Sequence, residues 1–143
     1  MLPSEPPISR VSTRRPRILL VDDDPSVIRG LWRVLRKYRP ELQVNTASGA
    51  AQAIEALSEL SYDLVLTDLE MPGGGGRAVL EVLAQRHPET ARVVHSSQVG
   101  SADTLHGQLA HATLAKPASE SEIVAAIDSA LRRVASEPAR RAG

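Results

Sequence analysis

Two short apolar runs in this chain each end in carboxylates. Ile18-Leu19-Leu20-Val21 leads into Asp22-Asp23-Asp24, and Tyr62-Asp63-Leu64-Val65-Leu66-Thr67 leads into Asp68. A short continuous apolar segment is the pattern of a strand buried on both faces, as in a parallel sheet. Parallel strands share a direction, so the carboxylates that end them emerge at one edge. Ligands of open α/β sheets bind in the crevice at that edge. Clustered carboxylates repel one another and invite a hard divalent cation, Mg²⁺ above all. The pattern points to a metal-dependent phosphate site.

The rest of the chain alternates in the same way. Asp24-Pro25 reads as an N-cap with proline at the first helical position. Val27, Leu31, Val34, Leu35 and Tyr38 then recur at helical spacing until Pro40, with Trp32 beside the stripe as a packing residue. Leu42 to Ala47 reads as a second strand, and Ser48 as the cap of a helix carrying Ala50, Ala53, Ile54 and Leu57. After the third strand, Met71-Pro72-Gly73-Gly74-Gly75-Gly76 reads as a loop. A third helix is expected over Ala78 to His87, with Val79, Val82 and Leu83 inward. The fourth strand is Ala91 to His95, and a weak fourth helix spans Ala102 to Leu109. His111 to Ala115 makes a fifth strand ending at Lys116-Pro117. In the last helix, Ser119-x-x-Glu122 fits a capping box, and Ile123, Ala126, Ile127, Ala130, Leu131 and Val134 form one stripe. Five strand–helix units with short connections argue for a doubly wound α/β sheet with helices on both faces.

Composition narrows the function classes. With 42% hydrophobic residues in 143, the chain can bury one core. One Trp, two Tyr and no Phe make that core aliphatic. The absence of cysteine excludes disulfide scaffolds, thiolate nucleophiles and cysteine zinc sites. No apolar run approaches the roughly 20 residues of a membrane span, and the first 17 residues lack the apolar core of a secretory signal. A cytoplasmic protein without a membrane partner is expected. The net charge of zero is unevenly spread. Each end, 1–17 and 132–143, carries four Arg against one Glu, which leaves the middle at −6. The ends read as solvated tails, and no reading helix or aromatic platform argues for direct DNA binding. The expected organisation is a flexible Arg/Pro-rich extension over 1–16, a domain over 17–134 and a flexible tail over 135–143.

At the sheet's C-terminal edge these strands would present Asp22, Asp23 and Asp24, then Asp68, then Ser96 and Ser97, then Lys116. Carboxylates there hold a cation, and one of them can attack phosphorus to give an aspartyl phosphate. Lysine supplies a charge to a phosphoryl oxygen, and a serine hydroxyl a hydrogen bond. The glycine run is no phosphate-binding P-loop, because no Lys-Ser or Lys-Thr follows it. His87, His95, His106 and His111 lack metal-ligand spacing and read as structural or surface residues.

Ile18–Pro25 (ILLVDDDP), Asp63–Gly73 (DLVLTDLEMPG), Ser96 and Lys116-Pro117 resemble the receiver domain of two-component response regulators, over roughly residues 17–134. Ile28-Arg29-Gly30-Leu31 and Ala91-Arg92-Val93-Val94 are further similar to receivers that precede HD-related output domains. The resemblance implies a flavodoxin-like five-stranded sheet of order 2-1-3-4-5. It implies that Asp68 accepts phosphate from a histidine kinase or phosphotransfer protein. Asp22, Asp23, Asp68 and the backbone carbonyl of Glu70 would hold Mg²⁺, with Asp23 the more direct ligand. Ser96 would be the switch hydroxyl, Lys116 the phosphoryl contact, and the bond before Pro117 cis. Such receivers are switches, not conventional enzymes. Their partner surface is the face of the fourth helix, fifth strand and fifth helix, which serves a downstream protein or a homodimer.

Departures from the family pattern fall on the output side. Thr113 stands where an aromatic often tracks the switch hydroxyl, and Ala118 replaces the common aromatic after Lys-Pro. Gly75 replaces a frequent acidic residue, which is expected to loosen that loop. Glu70 and Gln98 flank the site as candidates for tuning phosphate lifetime. The leading expectation is a single-domain phosphorelay receiver. Two other readings stand beside it: a receiver-like interaction module indifferent to phosphate, and an aspartate-nucleophile phosphatase suggested by Asp22-x-Asp24. The latter wants a late acidic pair, and the only aspartates beyond residue 100 are the isolated Asp103 and Asp128.

Overall fold

All four residues of the first apolar run are fully buried, because their strand lies inside the sheet. The computed structural model describes residues 15–72, 75–97 and 110–135. Strands β1 (Arg17–Val21), β2 (Gln43–Ala47), β3 (Leu64–Asp68), β4 (Ala91–Ser96) and β5 (Ala112–Ala115) form one sheet in the order β2-β1-β3-β4-β5. Every pairing is parallel. Between and after them come α1 (Pro25–Tyr38), α2 (Ala50–Glu59), α3 (Gly75–Arg86) and α4 (Glu120–Ala135). This is the doubly wound sheet that the alternation predicts, in the flavodoxin-like order that the family resemblance implies.

Successive strand residues point to opposite faces, so each apolar run serves two cores. Ile18, Leu20, Leu64, Leu66 and Val93 pack with Leu31 and Leu35 of α1 and Ile127 and Ala130 of α4. Leu19, Val21 and Val65 pack with Ala53 and Leu57 of α2 and Val79 and Leu83 of α3. The aliphatic composition fills both layers. Among the described residues no helix is long and apolar enough to cross a membrane.

Helix starts show which local signals carry through. Asp24 caps α1, its Oδ1 accepting the Ser26 backbone N–H at 2.9 Å, and Pro25 follows it. The Ser119–Glu122 capping box is complete at α4: the Glu122 N–H donates to Ser119 Oγ at 3.1 Å, and the Ser119 N–H to Glu122 Oε1 at 2.8 Å. The cap of α2 differs from expectation. Gly49 is the N-cap, without a side-chain bond, and the Gln52 side chain instead accepts the Ser48 N–H at 2.7 Å.

The predicted glycine loop is also corrected. Helix α3 begins at Gly75, three residues before the expected Ala78, and Gly75 and Gly76 are both buried in its first turn. A Cβ on Gly76 would lie 2.3 Å from the Asp68 carbonyl oxygen and 2.6 Å from Leu69 Cα. One on Gly75 would lie 2.8 Å from Met71 Cβ. Glycine is needed here for contact, because the helix start is pressed against the end of β3. The helix stops at Arg86, one residue short of His87. Trp32 is another correction. It is 42% exposed, since position 32 lies off the stripe through Leu31 and Leu35, and Arg36 stacks over its ring at 4.9 Å. The expected helix over 102–109, with His106, lies outside the described residues, as do Gln98 and Asp103.

Candidate functional site

The register of the parallel strands decides which side chains meet. Val21 of β1 sits beside Thr67 of β3, so Asp22 follows at the level of Asp68. Asp68 in turn pairs with His95, and Ser96 with Ala115, which brings Lys116 alongside. The Lys116 N–H donates to the Ser96 carbonyl at 3.0 Å, and the Lys116–Pro117 bond is cis, as expected.

One oxygen each of Asp22, Asp23 and Asp68 lies within 4.8 Å of the others. Asp22 and Asp68 are 2% exposed, whereas Asp23 is open to solvent. Lys116 Nζ reaches both buried acids, 3.0 Å from Asp22 Oδ2 and 3.1 Å from Asp68 Oδ1. The other Asp22 oxygen accepts the Asp24 N–H at 2.9 Å. The Glu70 N–H donates to Asp68 Oδ1 at 3.1 Å. Asp24 is thus a helix cap, as read, and outside the cluster. Burial pushes the Asp68 carboxyl above the usual carboxylate value, and the neighbouring Asp22 adds to this, against the pull of Lys116. Burial alone would lower the Lys116 ammonium, but its bonds to Asp22 and Asp68 outweigh this and raise it. The lysine therefore stays charged between two acids.

Hard oxygen donors around a small gap suit Mg²⁺, which binds through one or two carboxylates and keeps several waters. The donor set fits the metal. Asp23 and Asp68 offer carboxylate oxygens, and Asp22 is held in place by Asp24 and Lys116.

Ser96 lies 1% exposed at the end of β4, its hydroxyl donating to Glu70 Oε2. The exposed Ser97 hydroxyl is 3.4 Å from Glu70 Oε1. Thr113 is exposed on β5, and no aromatic ring stands in its place. Ala118 is half-buried and lines a cavity of about 650 Å³ with Val27, Leu31, His95, Lys116 and Ile123. His95 is 5% exposed, and among the described residues neither ring nitrogen meets a hydrogen-bond partner. Burial, and then the nearby Lys116 charge, push its pKa down to about 4. Reading His95 only as a strand residue missed this. A histidine in an otherwise apolar inward row was the available signal. His111 is structural, its Nδ1 accepting the Arg92 N–H at 3.0 Å.

A model of the response regulator receiver domain matches residues 18–128. The chain belongs to this family. The receiver is 37% identical over 131 residues to the DNA-binding response regulator MtrA of Mycolicibacterium smegmatis, covering 90% of this chain and 56% of that protein. It is 35% identical over 128 residues to the transcriptional activator protein PfeR of Pseudomonas aeruginosa, covering 88% of this chain and 41% of that one. The chain thus spans about half the length of these curated relatives. Among solved structures, the signal receiver domain of an HD domain-containing protein from Pseudomonas fluorescens Pf-5 superposes with a TM-score of 0.78 at 28% identity, covering 87% of this chain and all of that one. A CheY-like receiver from Methanospirillum hungatei gives the same score at 21% identity and covers 87% of this chain and 99% of its own, a likeness of fold. Receivers are signalling switches.

Proposed function

We propose that this receiver takes a phosphoryl group on Asp68 from a histidine kinase or phosphotransfer protein and passes the signal on as a change of partner-binding surface. The observation that carries this reading is the buried Asp68 carboxylate, 3.1 Å from Lys116 Nζ and within 4.8 Å of the Asp22 and Asp23 oxygens. An Asp68 oxygen attacks phosphorus, the bond from phosphorus to the donor imidazole nitrogen breaks, and the imidazole takes up a proton. Lys116 holds a charge against a phosphoryl oxygen, and Ser96 donates a hydrogen bond to another. Bound Mg²⁺, held by Asp22, Asp23, Asp68 and the Glu70 carbonyl, supplies charge neutralisation for the transferring group.

In this reading the domain occupies 17–134, with 1–16 and 135–143 as extensions, and it works in the cytoplasm. Its output face includes β5 and α4 and meets a downstream protein or a second copy, without direct contact to DNA. Asp128 is paired with Arg39, 2.5 Å from its Nη2. That pairing engages one of the two late aspartates on which a phosphatase site would draw.

The test is labelling with radioactive acetyl phosphate and with a panel of purified histidine kinases. Wild type should incorporate label in an Mg²⁺-dependent way, and Asp68→Asn should incorporate none. Label retained by Asp68→Asn would overturn the assignment. Partner capture that is unchanged in Asp68→Asn would favour the phosphate-indifferent module, and turnover of a generic phosphomonoester would revive the phosphatase.

A further inference from the structure

We infer that the Glu70 side chain is a latch on the switch hydroxyl: it holds Ser96 in the unphosphorylated arrangement and competes with the incoming phosphoryl group for the same proton. The inference rests on the receiver reading above and deepens it. Glu70 is tied at its backbone to Asp68 Oδ1 at 3.1 Å, and its carboxylate spans to the end of β4. There Oε2 accepts the Ser96 hydroxyl, and Oε1 lies 3.4 Å from the Ser97 hydroxyl.

A serine hydroxyl has one proton to donate. While Glu70 accepts it, Ser96 cannot donate to a phosphoryl oxygen on Asp68. Ser96 is 1% exposed although Glu70 itself reaches solvent, and hydrogen bonds to carboxylates are about twice as strong as those between neutral groups. Glu70 adds a further carboxylate beside the Asp22, Asp23 and Asp68 group, its backbone N–H bonded to Asp68 Oδ1. A phosphoryl group on Asp68 adds further negative charge beside it, which drives the Glu70 side chain away as Ser96 leaves. The resting position of the Ser96 hydroxyl thus includes a bond to Glu70 that phosphorylation must break. That sets a threshold on closure without an aromatic at position 113.

Beryllium trifluoride with Mg²⁺, a phosphoryl analogue, reads the competition directly on the full chain through ¹⁹F NMR titration. Glu70→Ala should bind it about tenfold more tightly than wild type, the scale expected for losing one hydrogen bond to a charged group. Glu70→Gln, which keeps a weaker acceptor and the side-chain volume, should fall between them. In a Ser96→Ala background the gain from Glu70→Ala should shrink to under about threefold, because no hydroxyl remains to release. An equal gain in both backgrounds would mean that Glu70 acts by charge alone and would overturn the latch, as would no gain at all. Asp68→Asn marks the difference from failure of the parent reading. If wild type binds the probe no better than Asp68→Asn, the receiver assignment falls and takes the latch with it.

Discussion

Lys116 Nζ lies 3.1 Å from Asp68 Oδ1, and it is the cation that makes a buried carboxylate at position 68 tolerable. The same ammonium holds Asp22 Oδ2 at 3.0 Å. Removing one partner of a buried ion pair leaves uncompensated charge, which costs about 3–5 kcal/mol. Here two acids would be left facing each other. Lys116→Met should therefore destabilise the fold by about 3 kcal/mol at pH 7. Adding Asp68→Asn to that variant should restore more than half of the loss, because only one buried acid then remains. Urea denaturation of the two variants and wild type measures this, and an additive cycle would show that the lysine does not compensate Asp68.

Divalent metal should stabilise the protein, because Asp22, Asp23 and Asp68 bring oxygens within 4.8 Å of one another against a single lysine. A ligand that binds only the folded state at ten times its Kd adds about 1.4 kcal/mol. That raises the melting temperature of a domain this size by several degrees. Asp23→Asn should abolish most of the rise while leaving the metal-free melting point close to wild type, since Asp23 is exposed. A melting curve indifferent to millimolar Mg²⁺ would remove the metal from the site.

The glycines of the third connection give an unusually sharp contrast with a glycine elsewhere. A Cβ at Gly76 would meet the Asp68 carbonyl oxygen at 2.3 Å, backbone against backbone, with no side chain free to move aside. Overpacking of this kind costs about 1–3 kcal/mol and sometimes more. Gly76→Ala should sit at the top of that range and also disturb phosphorylation, since the clash falls on the carbonyl of Asp68, the proposed phosphoacceptor. Gly30, in α1, has nothing within 4 Å of its missing Cβ. Gly30→Ala should stabilise by about 0.5–1 kcal/mol through helix propensity alone. Thermal melts of both variants, with labelling of Gly76→Ala, decide it.

These contrasts show what was legible in the chain. Strands buried on both faces announce themselves as unbroken apolar runs, so β1, β3 and the parallel sheet followed from Ile18–Val21 and Leu64–Asp68. Side-chain caps are local chemistry, and Asp24 and Ser119 could be read from their neighbours. The start of α3 could not. Gly75 and Gly76 look like a loop by propensity, and only the proximity of β3 explains why a helix is built from them. In the same way, Ser96 was visible as a hydroxyl at a strand end, but its partner Glu70 is 26 positions away across the site. Trp32 failed for a simpler reason. A large ring beside the Leu31–Leu35 stripe reads as packing, yet one position off the stripe turns it to solvent.

His95 gives the fold a pH dependence of defined sign. Its folded pKa is about 4, below the ordinary 6.5, because burial and then the Lys116 charge disfavour the imidazolium. The unfolded chain therefore takes up a proton first. The contribution of His95 is complete above pH 6.5 and is lost progressively as the pH falls from 6.5 through 4, by at most on the order of 3 kcal/mol. Asp68 works against this. Its raised pKa makes the folded state relatively better at low pH, and Asp22 and Glu70 also face His95. The difference between wild type and His95→Leu isolates the imidazole, since leucine cannot titrate and roughly preserves the volume. Urea midpoints between pH 7.5 and 4.5 should fall more steeply for wild type than for His95→Leu, with the two curves diverging below pH 6.5. Parallel curves would mean that water or another group already satisfies the ring.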